Sequence, residues 1–174
     1  MGRQGQFPEP GTELARIRTP VRRRMGSHQS ASARPEGSPR RGISFGSVSS
    51  KAELIAWELA WAGEEVNAAA ISEPRLFMPR LLADTNVVFV SIQGDGAIIG
   101  GGIINRGAEV VGLSNLFGSA IDVVWRSLVA TAGKIFPGLS LVGYERGDNL
   151  VAAHRAGFAT VGLLRVWTLP ARAL

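Results

Sequence analysis

The chain has 174 residues, 45% of them apolar, enough for one domain with its own core. It has no cysteine and only two histidines, His28 and His154, which excludes a disulfide framework, a thiolate nucleophile and a cysteine or histidine-cluster metal site. The net charge of +5 is uneven: residues 1–50 hold nine Arg against Glu9, Glu13 and Glu36, a local +6, so residues 51–174 stand at −1.

Residues 1–41 carry few large apolar groups, several Pro and many Arg. Such a stretch cannot offset the entropy of ordering, and it reads as a disordered tail. Contact with nucleic acid, if any, falls to this basic arm, because the rest of the chain lacks the positive surface that phosphates require. Arg22, Arg23 and Arg24 are followed by polar MGSHQSASARPEGSPRRG, without the apolar segment of a twin-arginine signal. No run approaches the roughly 20 apolar residues of a membrane span. The expectation is a cytoplasmic protein that does not meet the membrane.

At Gly42 the composition changes, and residues 42–174 read as one domain. GISFGSV is β-prone, and Ser49 or Ser50 then caps a helix over KAELIAWELAWAG. Leu54, Trp57, Ala60 and Trp61 share one face of it, and Gly63 stops it. A second helix is expected over residues 73–83, with Pro74 in its first turn and Pro79 as a kink or break. NVVFVSIQ, AIIGGGIIN and AEVVGLSNLF follow as a three-stranded antiparallel meander. The stretch QGDGAIIGGGI spaces Gly94, Gly96 and Gly100 almost as a dinucleotide-binding loop does. That loop must open a helix, however, and AIIGGGIIN is a poor helix, so Asp95-Gly96 reads as a tight hairpin turn. Gly100–Gly102 then mark a bulge or a close approach of another backbone or a ligand.

SAIDVVWRSLVATAGKIF is the next helix, capped by Ser119, with Asp122 in its first turn and Pro137-Gly138 at its end. Its buried stripe is Ile121, Val124, Trp125, Leu128 and Val129. LSLVGYE is a strand, DNLVAAHRAGF a short helix ending at Gly157, and ATVGLLRVWTL a last strand. Within YERGDNL, Asp148 or Asn149 caps the helix and Gly147 makes the turn, while Tyr144 beside Glu145 is the preferred polar pair for a cleft. Trp125 and Trp167 are assigned to the core, with Trp167 and Arg165 on one side of the last strand.

This order, and LVGYERGDNLVAAHRAGFATVGLLRVW above all, resembles the C-terminal half of the GNAT-type N-acyltransferases. The implied fold is α/β, or α+β: a mixed, mostly antiparallel sheet flanked by helices over residues 42–169. In that family one strand leads into a helix whose N-terminus holds the acyl-CoA pyrophosphate. The next strand splays away, and pantetheine lies in the gap. A following helix starts near an Asn and ends in Gly-Phe, as Asn149 and Gly157-Phe158 do. The family's phosphate loop, Gln or Arg, two residues, Gly, one residue, Gly or Ala, matches Asn115, Gly118 and Ala120 here. The resemblance implies that amides from Phe117 through Gly118 and Ser119 to Ala120 face a phosphate, and that amides near Val111 to Leu113 polarise the thioester carbonyl.

Many family members place a thiolate-protonating Tyr where this chain has Ala153. Tyr144 and His154 are the candidate replacements, and Glu109 or Glu145 the candidate general base. The implied activity is transfer of an acetyl or other acyl group from acyl-CoA to an amine, with no metal and no covalent enzyme intermediate. The alternatives are a non-catalytic domain of this fold that binds a ligand or protein partner, and a domain that delivers the basic tail to nucleic acid.

Overall fold

Asp95 and Gly96 take the conformation their residue types favour. Both have positive φ, 52° and 81°, as a two-residue type I′ hairpin requires. In this computed structural model the described residues are 42–63 and 76–164, with the main chain of residues 14–18. The turn joins β3 (Val87–Gly94) to β4 (Ala97–Arg106), and β5 (Val110–Gly118) completes the expected meander. Around it lie β1 (Leu14–Arg18), β2 (Ser44–Ser47), α1 (Lys51–Ala62), α2 (Ile121–Ile135), β6 (Ser140–Glu145), α3 (Gly147–Arg155) and β7 (Ala159–Leu164). The seven strands form one sheet in the order β2-β3-β4-β5-β6-β1-β7, antiparallel throughout except for the parallel pair β5 and β6.

Each face of the sheet carries its own core. Trp57 and Leu54 of α1 pack with Phe77, Phe89 and Ile103 on one face. Val124, Trp125 and Leu128 of α2 pack on the other with Ile104, Val111, Leu113 and Leu141. The three glycines of β4 allow both helices to come close. A Cβ on Gly101 would meet the Val90 carbonyl oxygen, Trp57 Nε1 at 2.8 Å and the Phe117 ring at 2.9 Å. On the opposite face, a Cβ on Gly100 would meet Val124 at 2.9 Å and one on Gly102 would meet Leu128 at 2.7 Å. Trp57 uses the space over Gly101 to donate its indole N–H to the Val90 carbonyl at 2.9 Å, satisfying a fully buried donor. The bulge occurs, since the register with β3 and with β5 shifts along this strand, and backbone does approach closely, at the Val90 carbonyl over Gly101 and the Phe117 carbonyl over Gly100; the helix side chains seated there were not anticipated.

Local signals set the helix ends. Ser50 caps α1 in a capping box: its Oγ accepts from the Glu53 N–H at 3.2 Å, and Glu53 Oε2 accepts from the Ser50 N–H at 3.1 Å. Hydrogen bonds from Ser49 and Ser50 hold the Glu53 carboxyl below the usual carboxylate range. The Gly157-Phe158 pair closes α3 as a Schellman motif, with the Gly157 N–H bonded to the His154 carbonyl and the Phe158 N–H to that of Ala153.

Four expectations are corrected. Pro79 starts a short 3-10 helix, Pro79–Ala83, where a kinked helix over 73–83 was expected; it suits a first turn because it needs no N–H partner, and residues 73–75 lie outside the described residues. The cap of α2 is Ala120, not Ser119, and no side chain bonds its first amides. Arg146 stands at the cap of α3, so neither Asp148 nor Asn149 caps it. The expected disordered tail does not hold over Leu14–Arg18, which pairs with β6 and β7. Main-chain pairing reads no side chain, so the composition around those five residues could not reveal it. The remainder of the tail, together with Arg165 and Trp167, lies outside the described residues.

Candidate functional site

The parallel ladder between β5 and β6 is short. It runs from Val110 opposite Ser140 to Leu113 opposite Gly143. Beyond it β5 continues to Gly118 paired with β4, while Tyr144 and Glu145 of β6 pair with β1, so the two strands part at their C-terminal ends. Asn115 marks the parting. It has φ of 54°, and β5 spends one residue more than β4 between the pairs Ile103–Ser114 and Gly101–Phe117. Such a bulge bends its strand and leaves local main-chain groups outside the ladder.

At the end of β5 the chain turns through Gly118, with φ of 130°, into α2. A Cβ there would meet the Ile99 carbonyl oxygen at 2.7 Å, so only glycine fits. Ser119 and Ala120 are exposed, and α2 begins without a side-chain cap. Its first N–H groups and its dipole therefore face outward, the arrangement that binds an anion. Asp122 in the first turn would oppose an anion. Arg155 of α3 binds it at both oxygens, 2.9 and 3.1 Å, and offsets that charge. On the α1 face of the same corner lies a cleft of about 480 Å³, walled by Leu59, Trp61, Ile98, Ile99, Phe117 and Gly118. No charged side chain lines it among the described residues.

Glu145 ends β6 beside the parting. It is buried, and burial pushes its carboxyl up to about 7, with a hydrogen bond from Asn149 of α3 acting in the opposite direction. Asn149 and Ala153 lie one turn apart on α3, so Glu145 sits one helical turn from the position where the family carries its tyrosine.

The sequence-derived candidates divide on this geometry. Asn115, Phe117, Gly118, Ser119 and Ala120 gather at the parting and the α2 start, with Glu145 and Asn149 across from them. Tyr144 and Glu145 do not form one pair, because successive strand residues face opposite sides: Glu145 shares the α2 and α3 face with buried Leu141, while Tyr144 is exposed on the other. Val111 and Leu113 lie inside the closed ladder with their side chains in the core, so any free amide at the parting comes from residue 114 onward. Glu109 is exposed in the turn before β5, roughly 30 Å along the strand from Gly118. His154 sits at the far end of α3, its Nε2 3.0 Å from Thr160 Oγ1. Ala153 is fully buried. The cleft residues Leu59, Ile98 and Ile99 were not anticipated. The signal in the sequence was a large apolar residue off the predicted stripe of α1, Leu59; in the structure Ile99 beside it in the cleft is 38% exposed.

A mixed sheet that parts between two parallel strands, with a helix opening at the parting, defines a GNAT-like acyltransferase fold. Among solved structures, the chain is similar to a GCN5-related N-acetyltransferase from Kribbella flavida, with a TM-score of 0.53 and 15% identity. The match covers 87% of this chain and 56% of that one, so the chain spans little more than half that protein's length. Likeness at this identity is one of fold. No family model and no curated protein matches the chain. Among the described residues there is no helix long and apolar enough to cross a membrane, and no metal-ligating cluster.

Proposed function

We propose that the protein is an acyl-CoA-dependent N-acyltransferase. The observation that carries this reading is the parting of β5 from β6 directly beside an uncapped helix start. Pantetheine would lie in the gap as an added strand, and the pyrophosphate would meet the N–H groups of residues 118–121. Main-chain amides of the Asn115 bulge would polarise the thioester carbonyl. The amine nitrogen attacks that carbonyl carbon, the new C–N bond replaces the C–S bond, and the nitrogen's surplus proton passes to water.

Glu145 supplies a proton to the departing thiolate. The sequence suggested a base at this position, but Glu145 lies on the α3 side, and a carboxyl that titrates near 7 still holds its proton in part of the molecules at neutral pH. Glu145→Gln is expected to lower kcat at least about tenfold while leaving KM for acetyl-CoA within about twofold.

Calorimetric titration of acetyl-CoA into the full chain is the test. Saturable binding is expected, weakened at least about tenfold by Ser119→Glu, which puts a like charge at an exposed position without the strain that any change at Gly118 would bring. No saturation at millimolar acetyl-CoA would refute the assignment. Buried Ala153 at the tyrosine position favours a second reading, a domain that binds acyl-CoA without turning it over. Binding with no product from a panel of amines would select that reading.

A further inference from the structure

The sheet's sixth position is filled from the other end of the chain. β1 runs antiparallel to both neighbours, with Ala15 opposite Glu145 and Leu163, and Arg18 opposite Val142 and Ala159. β6 and β7 do not pair with each other. Without β1 their edges would face one another across roughly 9.6 Å, two strand spacings, which is too far to bond and the right width for one strand.

The tether to this strand is long. Residues 19–43 connect β1 to β2, and β2 lies five strand steps away, roughly 24 Å. Twenty-five extended residues reach roughly 80 Å, more than three times that span. A slot that demands a strand, filled through main-chain hydrogen bonds by a segment on so long a tether, is equally open to the same segment of a neighbouring molecule.

We propose that the slot between β6 and β7 is a strand-exchange site, in which two copies of the chain place Leu14–Arg18 reciprocally in each other's sheet. The exchanged strand pairs with Tyr144 and Glu145, so each copy would complete the wall of the other's candidate site. The proposal does not depend on the acyl-CoA reading.

The chain has no cysteine, so an introduced thiol reports one position. Full-length Ala15→Cys and Leu163→Cys, co-expressed as separate chains, can form the 15–163 disulfide only if the strand of one molecule sits in the slot of the other. Cα partners in an antiparallel pair stand about 4.5–5.5 Å apart, within disulfide reach. The expected result is a disulfide dimer on a non-reducing gel, formed at least about tenfold faster than with Ala15→Cys and Phe45→Cys, because a seated strand raises the effective thiol concentration. Ile17→Pro in the Ala15→Cys chain should abolish it. A double variant carrying both changes in one chain tests the slot itself. If the double variant closes within the chain while the separate chains stay at the control rate, exchange is overturned. If the double variant fails to close, the slot assignment falls as well.

Discussion

Replacing Gly101 with Ala tests how the α1 face is assembled. The new Cβ would stand 2.8 Å from Trp57 Nε1 and 2.9 Å from the Phe117 ring, and closer still to the Val90 carbonyl oxygen. The indole and the Phe117 ring must give way, and because the carbonyl oxygen belongs to backbone of the neighbouring strand, β4 must shift against β3 as well. Trp57 is fully buried, bonded to Val90 at 2.9 Å, and in edge contact with Phe77, Phe89 and Phe117 at centroid distances of 5.4, 5.2 and 5.2 Å. Overpacking costs about 1–3 kcal/mol, and a stretched or lost buried hydrogen bond adds about 1 kcal/mol. The expected destabilisation is about 2–4 kcal/mol, which for a chain of this size lowers Tm by about 5–15 °C. Urea unfolding, followed by tryptophan fluorescence and far-UV circular dichroism with the slope held common, reads the difference. A Gly101→Ala protein within about 0.5 kcal/mol of the parent would refute the claim that Trp57 occupies the space over that glycine.

Gly133 provides the opposite case: it lies inside α2, where a Cβ would meet nothing within 4 Å among the described residues, so Gly133→Ala should stabilise by about 0.5–1 kcal/mol in the same assay. Trp57 and Trp125, both fully buried, should differ as well. Trp57→Phe loses the bond to Val90, whereas Trp125→Phe removes an N–H that is buried without a partner among the described residues, so Trp57→Phe should cost more by about 1 kcal/mol; equal costs would contradict the hydrogen-bond account. For Glu145, the folded chain binds its proton more tightly than the unfolded chain, near 7 against an ordinary 4.5. Stability therefore falls as pH rises from about 4.5 through about 7 and levels off above that, by about 3 kcal/mol at most. Glu145→Gln should flatten that fall, and parallel pH profiles for the two proteins would show that the carboxyl is not held in its neutral form.

Features encoded within a few residues were legible in the sequence. Asp95-Gly96 required positive φ at a turn, and the Gly157-Phe158 pair closed α3. The stripe on α2 anticipated buried Val124, Trp125 and Leu128. The glycine run was legible as a close approach, but not as two helices approaching from opposite faces, since that depends on which strands flank β4. The site was legible as a junction more than as a set of side chains. Gly118 and Ala120 marked the start of α2, yet the faces of Tyr144 and Glu145 follow from strand alternation, a rule that was available and would have separated them. Glu109 needed the strand direction: at the start of β5 it stands at the wrong end of the parallel pair. The Ser50 cap of α1 was legible, but the start of α2 was not, because Ser119 competes with a backbone turn through Gly118 that moves the helix start one residue onward.

β1 bears on how the protein should be truncated. A boundary at residue 42 follows the change in composition, but a chain cut there loses the strand between β6 and β7. Residues 144 and 145, which have already left the β5 ladder, would then have no strand neighbour, and the candidate proton donor would lose the main-chain support that holds it. Two bare inner edges would also be left to pair with other molecules. The truncated protein is expected to unfold at lower temperature than the full chain and to associate as its concentration rises. A peptide of residues 11–21 added in excess should suppress both effects, and the same peptide with Ile17→Pro should not. Equal Tm and concentration-independent mass for the truncated and full chains would mean that β6 and β7 need no strand between them. Loss of acyl-CoA binding on truncation with recovery on peptide addition would instead tie the first strand to the site.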